Sequence, residues 1–192
     1  LALSQDLRVI LIKLADRLHN VRTLSALPPQ KQKRIALETM EIYAPLAYRL
    51  GMQKISGELE DLSFKYIFPQ EHEWLLKNVK DCYGERERYL EKLRPVVVRE
   101  LKSNGLEPIA IESRAKRYAS LYKKLLHYDM DIEKIYDLVA MRIIVRNVAE
   151  CYATLGVVHK LWPPLPHRIK DYIALPKPNG YRGIHTTVFC EK

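Results

Sequence analysis

An α+β fold is what this sequence predicts, on three observations. Apolar residues recur at helical spacings of three and four through about the first hundred positions. Strand-like patterning begins only after Asn104-Gly105, and a Pro/Gly turn at Pro176 to Gly180 separates two β-like runs near the end. Helices first and strands later read as an all-α piece followed by a mixed sheet with flanking helices, the boundary falling near residues 80 to 105. No internal repeat or low-complexity segment interrupts that order.

Residues 5 to 24 form the first predicted helix, with Leu7, Leu11, Leu14, Leu18 and Val21 as an apolar stripe. A second face, Val9, Ile12, Asp16, Asn20 and Thr23, starts apolar and turns polar, and a helix apolar over most of its circumference is expected to be buried. The loop Ala26-Leu-Pro-Pro-Gln ends it. The next helix spans 31 to 50, turns Ile35, Met40, Tyr43, Leu46 and Leu50 toward a core, and has Gly51 as its cap. A third runs from about Ser56 to Tyr66 and breaks at Pro69. A long charged helical region follows from about Gln70 to Lys102, interrupted near Gly84 and stopped by Asn104-Gly105. Its Glu/Lys/Arg alternation reads as a solvated face. Ile109 and Ile111 mark a strand and Tyr118 to Tyr128 a helix. Leu138 to Val145 is apolar enough for a strand buried on both faces. Val148 to Trp162 is a helix closed by Pro163-Pro164, and Asp171 to Leu175 with Tyr181 to Cys190 form a hairpin.

Thirty-two Lys and Arg against 23 Asp and Glu leave a formal charge of +9, which concentrates anionic partners without separating RNA from nucleotides. A hydrophobic content of 47% suits a folded protein, and the sequence has neither a long apolar run nor a secretory leader pattern, so no membrane partner is expected. Cys82, Cys151 and Cys190 are odd in number and unpaired in spacing, which argues against a disulfide framework or zinc knuckle and for a reducing, cytoplasmic setting.

Four groups of residues carry chemistry. Asp16, Asn20 and Thr23 share one helix face, where a carboxylate can take a hard cation and the amide and hydroxyl can hold a ligand. The plainer alternative pairs Asp16 with Arg17 or Arg22. Arg114-Ala-Lys116 leads into the helix bearing Ser120, Lys123 and Lys124, so that Lys116, Ser120 and Lys124 fall on one face suited to a triphosphate. On spacing alone the plainer reading is an amphipathic surface helix with Tyr118, Leu121, Tyr122 and Leu125 inward. Asp137 opens the apolar strand, where a carboxylate can carry magnesium, and Arg142 steadies either the site or the fold. Tyr181 and His185, four apart in a strand with Gly183 between them, offer a stacking ring and a phosphate or ribose contact on one side. Arg168, Lys170, Asp171, Lys177 and Asn179 complete a wall for an anionic ligand.

Two stretches also carry a resemblance. Arg168-Ile-Lys-Asp-Tyr-Ile-Ala-Leu-Pro-Lys-Pro-Asn-Gly-Tyr-Arg-Gly-Ile-His-Thr-Thr187 resembles the RIKDYIA-PK-NGY-IHTT signature of the bifunctional RelA/SpoT family, which makes and degrades the alarmone (p)ppGpp. Lys13-Leu-Ala-Asp-Arg-Leu-His-Asn-Val-Arg-Thr-Leu24 resembles the last helix motif of that family's HD-type hydrolase. The resemblance implies the end of an HD-type hydrolase domain over 1–68, connecting helices over 69–105 and a C-terminally incomplete, nucleotidyltransferase-like synthetase domain over 106–192. It assigns Asp16 to a Mn2+ ion, with Asn20 and Thr23 near the guanosine nucleotide. Arg114, Lys116, Ser120 and Lys124 fall at the ATP phosphates, Asp137 at Mg2+, and Tyr181 on the guanine of GDP or GTP. The reaction implied is transfer of pyrophosphate from ATP to the 3′-hydroxyl of GDP or GTP, and, in the hydrolase, removal of that pyrophosphate by water. The family's other hydrolase ligands, a histidine and a His-Asp pair, are missing here; His19 and His72 do not replace them, and Glu191 comes too early to be the glutamate of the E-x-Q-I-R-T strand that serves as base. The 192 residues alone are therefore expected to be inactive in both directions. Tyr181-Arg-Gly-Ile-His185 stands where Tyr-Gln-Ser-Leu-His is commoner, and Glu112-Ser113 where a glycine usually precedes the arginine. Ribosome contact through regions outside the chain belongs to the same expectation. The competing readings are a basic RNA-binding module, whose tyrosines stack on bases, and a noncatalytic regulatory fragment.

Overall fold

The computed structural model describes residues 6–135 and 137–190. The chain divides into two compact units, residues 1–78 with 117–126 and residues 79–116 with 127–192.

In the first unit, α1 (Leu7–Arg22) starts at Asp6, whose carboxylate accepts the amide of Arg8. The predicted start at Gln5 lies outside the described residues. Only Leu14 and Val21 of the predicted stripe are buried. Leu7, Val9, Leu11 and Ile12 stay exposed, so the N-terminal half of α1 is not the buried helix its composition predicts. The predicted 31–50 helix is α2 (Pro29–Glu38), a π turn (Thr39–Tyr43) and α3 (Ala44–Arg49). Pro45 accounts for the wide turn: it has no N–H, and its ring would strike the carbonyl four residues back in a regular helix. Ala36, Thr39, Ala44 and Ala47 form the buried line, while Leu50 is exposed, because close helix approach selects small residues. Gly51 takes the left-handed conformation (φ 76°), and Met52 N–H donates to Ala47 O at 2.9 Å, closing the cap as predicted. α4 (Gln53–Ile67) packs Leu59 with Leu14, Val21, Ala44 and Ala47. Each such fully buried leucine is worth about 1.5–3 kcal/mol in burial alone.

α5 (Pro69–Ser103) is one helix of 35 residues with no interruption at Gly84. A lone glycine costs only about 1 kcal/mol, too little to break so long a helix. Gly105 (φ 73°) and the Leu106 N–H to Leu101 O bond at 2.9 Å end it where Asn104-Gly105 predicts.

In the second unit, β1 (Ala110–Ala115) pairs antiparallel with β2 (Val139–Ile144), and α7 (Val148–Leu161) follows, capped by Asn147 accepting from Glu150 N–H. Ile111, Val97, Leu101 and Val157 form its core, with Met141, Ile143 and Trp162 packed against them. β2 is half-buried, and Ala140 is exposed, so it is not buried on both faces: it lies beside one partner. β3 (Lys170–Asp171) and β4 (Ile184–His185) make the hairpin, antiparallel as predicted but only two residues long each. The strands of the described residues pair antiparallel, in place of the mixed sheet expected. α6 (Tyr118–Leu125) belongs to the first unit and buries Ala119, Leu121 and Leu125.

Candidate functional site

The first unit brings the α1 residues together as predicted. Asn20 Nδ2 donates to Asp16 Oδ2 at 3.2 Å, and Thr23, at the end of α1, turns its hydroxyl to His19 O at 3.1 Å. All three side chains are exposed. Asn20 and Thr23 line a groove of about 510 Å³ with Arg17, Arg34, Ile35 and Glu38. Arg17 reaches Glu38 at 3.1 Å and covers the Tyr43 ring at 4.0 Å, while Arg22 reaches Glu58 at 2.8 Å. The plainer reading, an ion pair from Asp16 to Arg17 or Arg22, is thus replaced by these two bonds. No group of three or more His, Cys, Asp or Glu gathers among the described residues. A firmly held divalent ion takes several ligands, so the donor set around Asp16 does not by itself fit manganese.

α6 sets Ser120 and Lys124 on one face at a spacing of four. Lys116 does not continue that face, because Arg117 caps the helix in extended conformation (φ −69°, ψ 145°) and Lys116 lies before it. Asp61 Oδ1 on α4 accepts the Ala119 amide of α6 at 2.9 Å. Burial raises the Asp61 carboxyl above its ordinary value, against the lowering effect of that hydrogen bond.

The second unit holds the larger set of candidates. Strand alternation puts Ile111, Met141 and Ile143 on the core face of β1 and β2, and Glu112, Arg114 and Arg142 on the other. Lys116, next after β1, donates its backbone N–H to Leu138 O at 2.7 Å and its ammonium to Asp137 Oδ2 at 2.8 Å. The hydroxyl of Tyr83 fixes the same residue by donating to Lys116 O at 2.6 Å.

In the hairpin, Gly180 takes φ 73°, and Asn179 Oδ1 accepts the Tyr181 amide at 3.2 Å. Tyr181 lies outside the short strand, yet its hydroxyl meets His185 Nε2 at 2.8 Å. Gly183 makes the contact possible, since a Cβ there would stand 3.1 Å from the Tyr181 hydroxyl. The rings of Tyr172, Tyr181 and His185 lie edge to face with centres 5.1–6.0 Å apart. The Lys177 ammonium sits 4.6 Å over Tyr172 and 5.5 Å from the Tyr181 ring centre. Partial desolvation, then the charges of Lys177, Lys170, Arg114 and Arg142, push His185 below the usual histidine value. Arg168 and Lys170 are exposed. Asp171 accepts the amides of Ile173 and Ala174 at 2.8 and 2.9 Å and the Tyr152 hydroxyl at 2.8 Å. The Ala174 amide first, then that hydroxyl, hold its carboxyl below the ordinary value. Sequence reasoning missed Tyr172 and Tyr152. Tyr172 adjoins Asp171 and was open to notice; Tyr152 lies in a separate helix and gives no local signal.

Lys177 over two tyrosine rings, with the charges of Lys170, Arg114 and Arg142 also bearing on His185, gives this part of the hairpin a positive environment. The comparisons give that chemistry a lineage. Residues 113–192 match the region found in RelA/SpoT proteins, and residues 1–53 match the HD domain. A probable guanosine-3′,5′-bis(diphosphate) 3′-pyrophosphohydrolase of Synechocystis sp. is 49% identical over 98% of this chain and 25% of its own length. A guanosine-3′,5′-bis(diphosphate) 3′-pyrophosphohydrolase of Aquifex aeolicus is 48% identical over 100% of this chain and 28% of its own. A GTP pyrophosphokinase of Myxococcus xanthus is 47% identical over 98% and 25%. The chain belongs to the RelA/SpoT family, and it spans about a quarter of the length of these curated relatives.

Proposed function

We propose that this chain supplies nucleotide-binding parts of a bifunctional (p)ppGpp enzyme: pyrophosphate passes from ATP to the 3′-hydroxyl of GDP or GTP, and an HD-type unit hydrolyses the product. One observation carries the reading, the Tyr172, Tyr181, His185 and Lys177 cluster within a field of cations. Relatives named as pyrophosphohydrolases and as a GTP pyrophosphokinase support both directions.

In this reading Tyr181 stacks on guanine, while His185, Lys170 and Arg168 meet phosphate or ribose. Lys177 and Asn179 hold the turn around Tyr181, and Asp171 holds the turn before it. Arg114 and Lys116, at and just after the end of β1, hold ATP phosphates. Magnesium typically takes one or two carboxylates together with substrate phosphates, and Asp137, at the head of β2, fits as such a carboxylate. When bound, that ion neutralises charge developing on the phosphates. The Lys116 ammonium, 2.8 Å from Asp137, holds the carboxylate in place and adds positive charge beside it. Pyrophosphate transfer rests mostly on positioning and charge neutralisation. Asn20 and Thr23 face the nucleotide of the hydrolytic site, and manganese at Asp16 requires ligands beyond those described. The domains run 1–68, 69–105 and 106–192, in a cytoplasmic setting; among the described residues no helix is long and apolar enough to cross a membrane.

The test is to incubate the 192-residue chain, and a form extended through an E-x-Q-I-R-T strand, with labelled ATP, GDP and magnesium. Chromatography should show labelled guanosine 3′-pyrophosphate from the extended form. Its absence there, with GDP still unbound, overturns the reading; equal product from both forms overturns the claim that the 192 residues lack the base.

A further inference from the structure

α7 holds both arms of the hairpin. Tyr152 donates its hydroxyl to Asp171 Oδ2 at 2.8 Å, and Asp171 immediately precedes Tyr172. Two helical turns on, His159 Nε2 lies 2.8 Å from Thr186 Oγ1, and Thr186 immediately follows His185. A separation of seven puts Tyr152 and His159 on one face of α7. Each tether thus ends beside a ring of the cluster, one ring on each arm. Asp171 passes the restraint on, because its other oxygen closes the turn at Ile173 and Ala174. The Tyr172 amide then donates across to Gly183 O at 2.9 Å, and the Tyr181 hydroxyl reaches His185. The strands themselves are two residues long, and so short a ladder is weak in water. The arms therefore depend on α7 for their spacing.

We propose that Tyr152 and His159 are positioning residues for the acceptor nucleotide: they touch no ligand, and they set the spacing of Tyr172, Tyr181 and His185 through Asp171 and Thr186. The inference rests on the guanine-nucleotide reading above. Ring positions that recognise a flat base must be held within a fraction of an ångström, and loops this short do not hold themselves. His159 and Thr186 are half-buried, whereas Tyr152 is 42% exposed, so Tyr152→Phe removes one hydroxyl without opening a core.

Two readouts on the 192-residue chain test the proposal: the ring proton signals of His185 by NMR without nucleotide, and calorimetric titration with GDP and with a non-hydrolysable ATP analogue. Tyr152→Phe and Thr186→Val should each shift the His185 signals. Each should weaken GDP binding about three- to tenfold, the range for one lost hydrogen bond, and leave the ATP analogue within about twofold. Thr186→Ser, which keeps the hydroxyl, should restore both readouts to wild type. Unchanged His185 signals in Tyr152→Phe and Thr186→Val overturn the tether. Shifted signals with unchanged GDP affinity overturn the positioning role. A wild-type chain that binds no GDP, with the signals still shifting among variants, overturns the nucleotide reading while the tether survives.

Discussion

Adding one methyl group at Gly183 separates the binding geometry from fold stability. A Cβ there would stand 3.1 Å from the Tyr181 hydroxyl oxygen, 3.4 Å from Cζ and 3.6 Å from Cε1. The first distance is inside ordinary contact, so the hydroxyl must retreat by about 0.3–0.5 Å. Its bond to His185 Nε2, now 2.8 Å, then stretches toward the limit of a useful hydrogen bond. One such bond is worth about 0.5–1.5 kcal/mol, and the ring it orients is the proposed stacking platform. Gly183→Ala should therefore weaken GDP binding about three- to tenfold. Gly183 is not in the left-handed region, where Gly51, Gly105 and Gly180 lie, so alanine meets no backbone strain. Alanine also removes unfolded-state freedom, a gain of about 0.4–1 kcal/mol. The two effects nearly cancel, so the variant should lie within about 1 kcal/mol of wild type in stability, yet bind GDP less well. Calorimetric titration and urea melts measure the two quantities. Unchanged GDP affinity would refute the use of the Tyr181–His185 geometry, and marked destabilisation would refute the steric reasoning.

Three further outcomes follow from particular residues. His185 is depressed in the fold, so its contribution to stability is complete above the ordinary value of 6.5 and is lost as pH falls through the lower folded value; His72, lowered by burial, acts with the same sign. Urea melts from pH 7.5 to 5, at about half-unit steps, should show a decline that His185→Gln makes shallower, and an identical decline would contradict this. Asp61→Ala, which removes the acceptor for the Ala119 amide, should cost about 0.5–2 kcal/mol, and Asp61→Asn should recover most of it; thermal unfolding decides, and equal losses would rule out capping. Asp16→Ala should leave weak manganese binding unchanged by calorimetry, since the described donor set is too small; tight binding abolished by that substitution would show the account of this site to be wrong.

The extent to which sequence foretold structure varies with the range of the interaction. Local rules sufficed at Gly51 and Gly105, where left-handed caps end helices, and for the helix face joining Asp16 to Asn20. They failed where context decides. The π turn before Pro45 alters which residues face inward, so Ala44 and Ala47 are buried and Leu50 is not. Gly84 leaves α5 whole because neighbouring helix formers outweigh one glycine. The hairpin residues were legible as a set, and Tyr181 does meet His185. The reason is a hydrogen bond around Gly183, since Tyr181 is not in the strand. Tyr152 was invisible because its bond to Asp171 joins positions 19 apart through tertiary packing.

The central claim is that this hairpin receives a guanine nucleotide on Tyr181. Calorimetric titration of GDP into the wild-type chain and Tyr181→Ala tests it most directly. Loss of a stacked base contact costs about 1–3 kcal/mol, so the dissociation constant should rise by about five- to 150-fold. Equal affinities in the two proteins would contradict the claim.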